Sequence, residues 1–293
     1  MMQHRRIGDA DVYNITEIIG PTHDPAMLYP TLPRQEFEAL IPRLVPAHYA
    51  PGNDRLIVGI QIWIVKVGDD VIIIDTGIGN GKPRGLPRFN RLNTLVAQWL
   101  DAAGAGRDAV TQVIMTHLHG DHVGWNTLAD GDGWTATFPN AKYWLPEADY
   151  AYWHPKFIDT KGIGPTEAFL DAILPLVEQG RTSFYGDGQD FAPGMRAVAA
   201  PGHSPGMFRI DLESGGERGV FCADIFHSPL QILRPDINTV VDELPDVARA
   251  TRKAFLDEVA DTGALVMPCH FGFPHCVRIF RDGGGYRFVH EGE

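Results

Sequence analysis

Residues 116–124 read Thr116-His117-Leu118-His119-Gly120-Asp121-His122-Val123-Gly124. Six consecutive positions carry four side chains able to ligate a metal: His117, His119, Asp121 and His122. Groups packed this closely repel or compete for space unless a cation binds between them. Neutral imidazole and carboxylate are both good ligands for Zn²⁺ and similar divalent ions. A single histidine pair would read as an ordinary surface loop, but this density does not. Just upstream, Val110-Thr-Gln-Val-Ile-Met115 is a β-branched run of the kind found in buried strands. The ligands therefore fall where a strand gives way to a loop, a place from which rigid backbone aims side chains into a cleft. If strand geometry continues, His117 and His119 point the same way, and Gly120 permits the turn that carries Asp121 and His122.

Moving outward, the same arrangement recurs. Met195–Ala200 reads as a strand running into Pro201-Gly-His203; Val220-Phe-Cys-Ala ends in Asp224; Ala264-Leu-Val-Met-Pro-Cys ends in His270. Separate strands that each deliver a ligand-type residue at a C-terminal end imply one shared site at one edge of the sheets. Upstream, Leu56–Val67 and Asp70–Asp75 form a hairpin through Gly68-Asp69. Its second strand, Val71-Ile-Ile-Ile74, is apolar throughout and so buried on both faces. Asp75 then opens the Gly-rich turn Thr76–Gly81. It either orients a metal ligand from behind or caps the turn.

The rest of the chain supplies the scaffold. Asp11–Ile19 is a strand candidate. Residues 20–56 form a Pro-rich arm with a short helix at Arg34–Ile41 and apolar anchors Met27, Leu28, Tyr29, Phe37 and Tyr49. The arm reads as an ordered excursion or lid, or as a surface arm that packs on a partner subunit. Asn90–Gly104 has helical spacing, with Asn90 as its cap and Gly104 just past its end. Ala141–Leu145 reads as a strand, residues 147–190 as mostly helical, including Thr166–Gln179 with Pro175 starting, bending or breaking its last part, and Pro245–Thr262 as an amphipathic helix.

The order Asp75, His117-x-His119-x-Asp121-His122, His203, Asp224, His270 resembles the metallo-β-lactamase superfamily. The resemblance implies an α/β fold: a four-layer αββα sandwich of two mixed sheets flanked by helices, with residues 1–293 as one domain. It also implies that His117, His119 and His203 bind one divalent ion and Asp121, His122 and His270 a second, with Asp224 bridging. Zinc is the first expectation for the metal; Mn, Fe and Co suit the same ligands. Two such ions polarise a carbonyl or phosphoryl oxygen and activate water, with Asp121 placed to shuttle a proton. The implied reaction is hydrolysis.

Within the family the sequence is most similar to the acyl-homoserine-lactone lactonase and methyl-parathion-hydrolase branch, through Asp75–Lys82, His122-Val-Gly-Trp125 and Asp224-Ile-Phe-His227. Related lactonases often carry a Tyr three residues after the bridging Asp. His227 stands there, either as a donor to a substrate oxygen or as a loop residue. Trp125, Phe226, Phe271 and Phe273 flank the motifs and are candidates to line the pocket, which would suit an apolar acyl or aryl substrate. The expected activity is that of a quorum-quenching lactonase or related esterase, with an organophosphate, aryl-ester or β-lactam hydrolase as the alternative and a non-enzymatic member of the fold as the other class. Cys222 and Cys269 sit beside ligands but alternate away from the metals, as buried structural thiols.

Composition narrows the partners. A formal net charge of −12 over 293 residues disfavours a nucleic-acid partner. Three cysteines cannot all pair, which suits a reducing, cytoplasmic setting. The opening decapeptide has no apolar h-region, no run approaches a membrane span, and so neither a secretory signal nor a membrane partner is expected. A small-molecule substrate is, and the Pro-rich arm suggests a homodimer.

Overall fold

The computed structural model describes residues 1–162 and 164–292. Two large mixed sheets dominate it. The first runs in the order Met2–Ile7, Ala10–His23, Arg55–Val67, Asp70–Ile74, Gln112–Ile114, Lys142–Pro146, Thr182–Tyr185, with Tyr49–Ala50 added beside Arg55–Val67. The second runs Asp190–Ala192, Met195–Ala199, Phe208–Ser214, Glu217–Ala223, Leu265–Pro268, Val277–Asp282, Gly285–His290.

Side-chain alternation explains the layering. Trp63, Val65, Ile72, Ile74 and Ile114 point from the first sheet to meet Ile210, Leu212, Phe221 and Met267 of the second. Their neighbours Ile62, Ile64, Ile73 and Val113 face the other way, onto Val96, Leu100, Trp153 and Ile173. On the far side, Val220, Val266 and Val277 pack against Phe255, Leu256 and Val259 of the helix Pro245–Val259. Strands with both faces covered must be apolar on both, which is why Val71–Ile74 lacks an alternating polar pattern. The result is helix, sheet, sheet, helix.

The parallel pairings position the site. Asp70–Ile74 runs parallel to Gln112–Ile114, and Glu217–Ala223 parallel to Leu265–Pro268. These four strands therefore end at the same edge, delivering Asp75, His117, Asp224 and His270 to it.

Several elements depart from the sequence reading. The helix expected at Asn90–Gly104 covers only Val96–Ala102. Asn90 does not cap it: its Oδ1 accepts from Arg84 N–H, and Thr94 N–H donates to Asn80, so side chains tie residues 90–94 to the preceding loop. Gly104 does follow the helix, at φ +64°. Residues 147–190 also hold the strand Thr182–Tyr185; Thr166–Gln179 divides into a wide helical turn, Phe169–Ile173, and Leu174–Glu178, which Pro175 begins. Helix Arg34–Leu40 lies in the Pro-rich arm. Most apolar residues of that arm (Leu28, Tyr29, Phe37, Leu44, Tyr49) are buried against Leu230 and Ile237 of the same chain, while Met27 is 74% exposed. No helix among the described residues is long and apolar enough to cross a membrane.

Candidate metal centre

Asp224 lies at the centre of a histidine cage. Its Oδ2 is 2.9 Å from His270 Nε2, 3.3 Å from His203 Nε2 and His227 Nε2, 3.4 Å from His122 Nε2 and 3.9 Å from His117 Nε2. His119 presents Nδ1 instead, 2.8 Å from His203 Nε2. Ligand atoms of His117, His119 and His203 cluster together, as do those of Asp121, His122 and His270. Asp121 Oδ1 is 3.8 Å from His122 Nε2 and its Oδ2 3.9 Å from His270 Nε2.

The far ring nitrogens are held by the scaffold. His122 Nδ1 donates to Asp75 Oδ2 at 2.8 Å, and His270 Nδ1 to the Gly59 carbonyl at 2.9 Å. His203 Nδ1 lies 3.3 Å from Asp242 Oδ1, and Asp242 is itself fixed by Thr239 N–H and faces Arg252. A histidine that donates through one nitrogen presents the lone pair of the other, which is how protein surroundings orient metal ligands.

Burial acts to lower His122 and His270, but Asp224 and the carboxylates beside it outweigh burial and raise both, a proton load that a bound cation would displace. Burial and neighbouring imidazoles push His117 and His119 well below ordinary histidine values, so both are neutral. Burial works against the Asp224 carboxylate, but His270, His122 and His227 outweigh it and hold it well below the usual range. Among the described residues, the buried atoms His117 Nε2, His122 Nε2 and Asp224 Oδ1 have no hydrogen-bond partner. Such orphans cost stability unless something satisfies them. A nitrogen and oxygen donor set of this kind suits a divalent ion.

The loop that carries the first candidate ligands, His117 to His122, is zipped to the turn after Asp75. Thr76 N–H donates to the His122 carbonyl, Gly124 N–H to Gly77 and Trp125 N–H to Thr76. A Cβ on Gly124 would sit 1.9 Å from the Ile78 backbone, so only glycine permits this approach. Asp75 also accepts from Thr116 N–H and Oγ–H, 2.8 Å each.

Sequence reasoning missed three supports of the site. Buried Glu17 accepts from Ile78 N–H, Gly79 N–H and Trp125 Nε1–H, bracing both loops from another strand. Asp149 accepts from Leu118 N–H and Gly206 N–H, 2.8 and 3.0 Å, and from Ser204, tying the His117 loop to the His203 loop. Asp242 is the third. None lies in a motif, and Asp149 and Asp242 have other carboxylates, Glu147 and Glu243, close by in sequence, so nothing local singles them out.

The aromatic candidates fall elsewhere than the pocket reading had them. Phe226 and Phe271 are fully buried under the site, and neither has surface to offer a substrate. Trp125 is buried too, its indole N–H engaged by Glu17. Phe273 is 53% exposed but lines a separate surface cleft with Val45, Pro46 and His290. Cys222 packs in the core, whereas Cys269 Sγ turns to Asp75 Oδ2 at 3.4 Å. Burial and Asp75 raise the Cys269 thiol, keeping it protonated.

The metallo-beta-lactamase superfamily model matches residues 57–270, a span that includes every ligand named above. The chain belongs to that superfamily. A probable metallo-hydrolase of Bacillus subtilis (strain 168), YybB, is 25% identical over 224 residues, 71% of this chain and 77% of the relative. Among solved structures, the hydrolase AbOPH of the beta lactamase superfamily superposes with a TM-score of 0.83 at 25% identity, covering 100% of this chain and 98% of that one. AidC, described as a dizinc quorum-quenching lactonase in complex with a product, N-hexnoyl-L-homoserine, gives 0.80 at 22% identity, over 100% and 98% of the two chains. This superfamily member is a metal-dependent hydrolase.

Proposed function

We propose that the chain hydrolyses a lactone or related ester with an apolar acyl or aryl part, at a pair of divalent ions, zinc first among them. One observation carries the dinuclear reading: Asp224 Oδ2 lies 3.3 Å from His203 Nε2, of one ligand set, and 3.4 Å from His122 Nε2, of the other. His117, His119 and His203 would hold one ion, and Asp121, His122 and His270 the other, with Asp224 shared. Such a pair supplies Lewis acidity toward the carbonyl oxygen and lowers the pKa of water.

The protein's own groups divide the remaining work. The Asp121 side chain is 23% exposed where that of Asp224 is 2%, so Asp121 is the carboxylate that meets the cleft and can pass a proton to the leaving oxygen. His227 adds a second donor: its Nε2 lies 3.3 Å from Asp224 Oδ2, so the neutral ring carries its proton on Nε2, facing the candidate ligands, where a substrate oxygen would share it. Support for a lactone comes from AidC, whose fold the chain shares and which is described as a lactonase in complex with a product, N-hexnoyl-L-homoserine. Self-association has a smaller support in Met27 and Val240, exposed neighbours linked through the Val240 N–H to Leu28 carbonyl bond.

The test is metal content per chain on protein purified without added metal, followed by turnover of lactones, aryl esters, phosphotriesters and β-lactams. Two ions and highest kcat/KM on lactones or esters are expected. One ion, or preference for phosphotriesters or β-lactams, overturns the corresponding half of the reading.

A further inference from the structure

The loop between Gly81 and Arg91 carries two arginines in opposite situations. Arg84 is buried and bidentate to Asp171, 2.6 and 3.0 Å. Arg88, four residues on, is exposed, and among the described residues no carboxylate pairs with it. Its Nη1 donates to Thr22 Oγ1 at 2.9 Å, and its Nη2 lies 3.0 Å from His23 Nε2. Thr22 Oγ1 is also 3.0 Å from His23 Nδ1. A neutral imidazole has one donor and one acceptor nitrogen. Arg88 Nη1 also comes within 3.3 Å of His23 Nδ1. The tautomer with the proton on Nδ1 serves the three shorter contacts, with Nδ1–H donating to Thr22 and Nε2 accepting from Arg88, and leaves Nη1 committed to Thr22 alone.

This assembly stands beside the candidate metal centre: the strand that carries Thr22 and His23 pairs Ile19 with Gly59, and the Gly59 carbonyl holds His270 Nδ1 at 2.9 Å. His23 is pulled down to about 3 by burial, then by Arg88, His270 and His227, with Asp121 acting in the opposite sense, so it is neutral at working pH. Asp121 also acts on Arg88. The Arg88 guanidinium lies 4.4 Å over the Phe89 ring, and Phe89 packs on Ile60 and Ile78, which anchors the loop to the turn after Asp75. Neutral partners position the fork without cancelling its charge, and among the described residues its Nε–H makes no hydrogen bond. In a chain of net charge −12, that is a local exception beside the catalytic cleft.

We propose that Arg88, aimed by His23 and Thr22, receives an anionic group of the substrate, a carboxylate set apart from the scissile carbonyl. This deepens the ester-hydrolase reading and rests on it for the reaction, though not for binding. It selects acidic esters or lactones over their uncharged counterparts, because arginine offers a planar fork matched to a carboxylate.

Titration calorimetry on the metal-loaded protein tests binding with aliphatic dicarboxylates from malonate to adipate against monocarboxylates of matching length. One carboxylate engages the centre and the second reaches Arg88. The best dicarboxylate should bind about tenfold or more tightly than its monocarboxylate, a preference that Arg88→Gln abolishes and Arg88→Lys keeps in part. An equal preference in wild type and Arg88→Gln overturns the proposal. Kinetically, the ratio of kcat/KM for an ester with a free distal carboxylate to that of its methyl-capped form should fall about tenfold in Arg88→Gln; an unchanged ratio also overturns it. If no ester is turned over but the dicarboxylate preference depends on Arg88, the ester reading fails and the anion site stands.

Discussion

His227 Nε2 lies 3.3 Å from Asp224 Oδ2, so the histidine three residues beyond the central carboxylate reaches the same oxygen as four other imidazoles. Its ring stacks on His270 at 5.1 Å and an interplanar angle of 17°, which fixes its orientation. Replacing it with alanine leaves the seven ligand side chains in place. His227→Ala should retain metal and fold while kcat falls by roughly 10–100-fold, the loss of one hydrogen bond of about 1.5–3 kcal/mol to developing charge. Metal analysis alongside kinetics checks this. Unchanged turnover would make His227 a packing residue, and lost metal would make it a ligand.

Asp75 offers its two oxygens to His122 Nδ1–H, to both Thr116 donors and to the Cys269 thiol. Asparagine at this position keeps the volume but loses the charge that secures the His122 tautomer. Asp75→Asn should weaken metal binding by roughly 10–100-fold, with circular dichroism unchanged. Competition against a chelator of known affinity measures it. Affinity within twofold of wild type would leave Asp75 as a turn support only.

Asp149 joins two ligand loops that are far apart in sequence. A Cβ on Gly206 would come within 2.0 Å of Asp149 N, so nothing else can fill the gap between them. Asp149→Ala strands the buried Leu118 and Gly206 N–H groups and should cost about 2–5 kcal/mol. Asp149→Asn, which retains one acceptor, should cost less. Urea denaturation of both variants gives the comparison, and equal costs would mean that one retained acceptor contributes nothing and that the full carboxylate is required here.

The strand ends and the clustering of candidate ligands there were legible because the chemistry is local: His117 to His122 lie in one loop, and each remaining candidate follows an apolar run. Layering was legible from Val71–Ile74, whose lack of alternation reports two covered faces. Long-range supports were not. Glu17 serves the site across 108 residues of sequence to Trp125, and nothing at position 17 announces it. The helix at 90–104 was overextended because spacing reports which face is apolar, not whether Asn80 and Arg84 have captured the residues before Val96. The aromatics misled for a related reason: proximity to a motif in sequence places a ring near the site, but burial decides whether it faces the substrate.

Lys82 gives a prediction with a definite sign. Its side chain is buried, with Nζ donating to Thr127 Oγ1 at 2.7 Å and to the Asp171 carbonyl at 2.9 Å, and lying 4.0 Å from the centre of the Trp134 ring. Burial, partly offset by Asp171, pulls the ammonium down to about 8. An unfolded lysine titrates at about 10.4. Between those values the unfolded chain binds more protons than the folded one, so raising the pH favours the folded state. Below about 8, both forms are protonated and the folded chain bears the full penalty of burying the charge. Lys82→Met removes this titration while Asp171 keeps Arg84. Tyrosines and other lysines titrate in both proteins and cancel in the difference. The stability of wild type relative to Lys82→Met should therefore rise from about pH 7.5 to about pH 10, by on the order of 2–3 kcal/mol. Urea midpoints of the two proteins, measured across that range at fixed metal concentration, provide the comparison. A difference that stays flat would mean that Thr127 and Asp171 hold the Lys82 ammonium at its ordinary basicity despite burial.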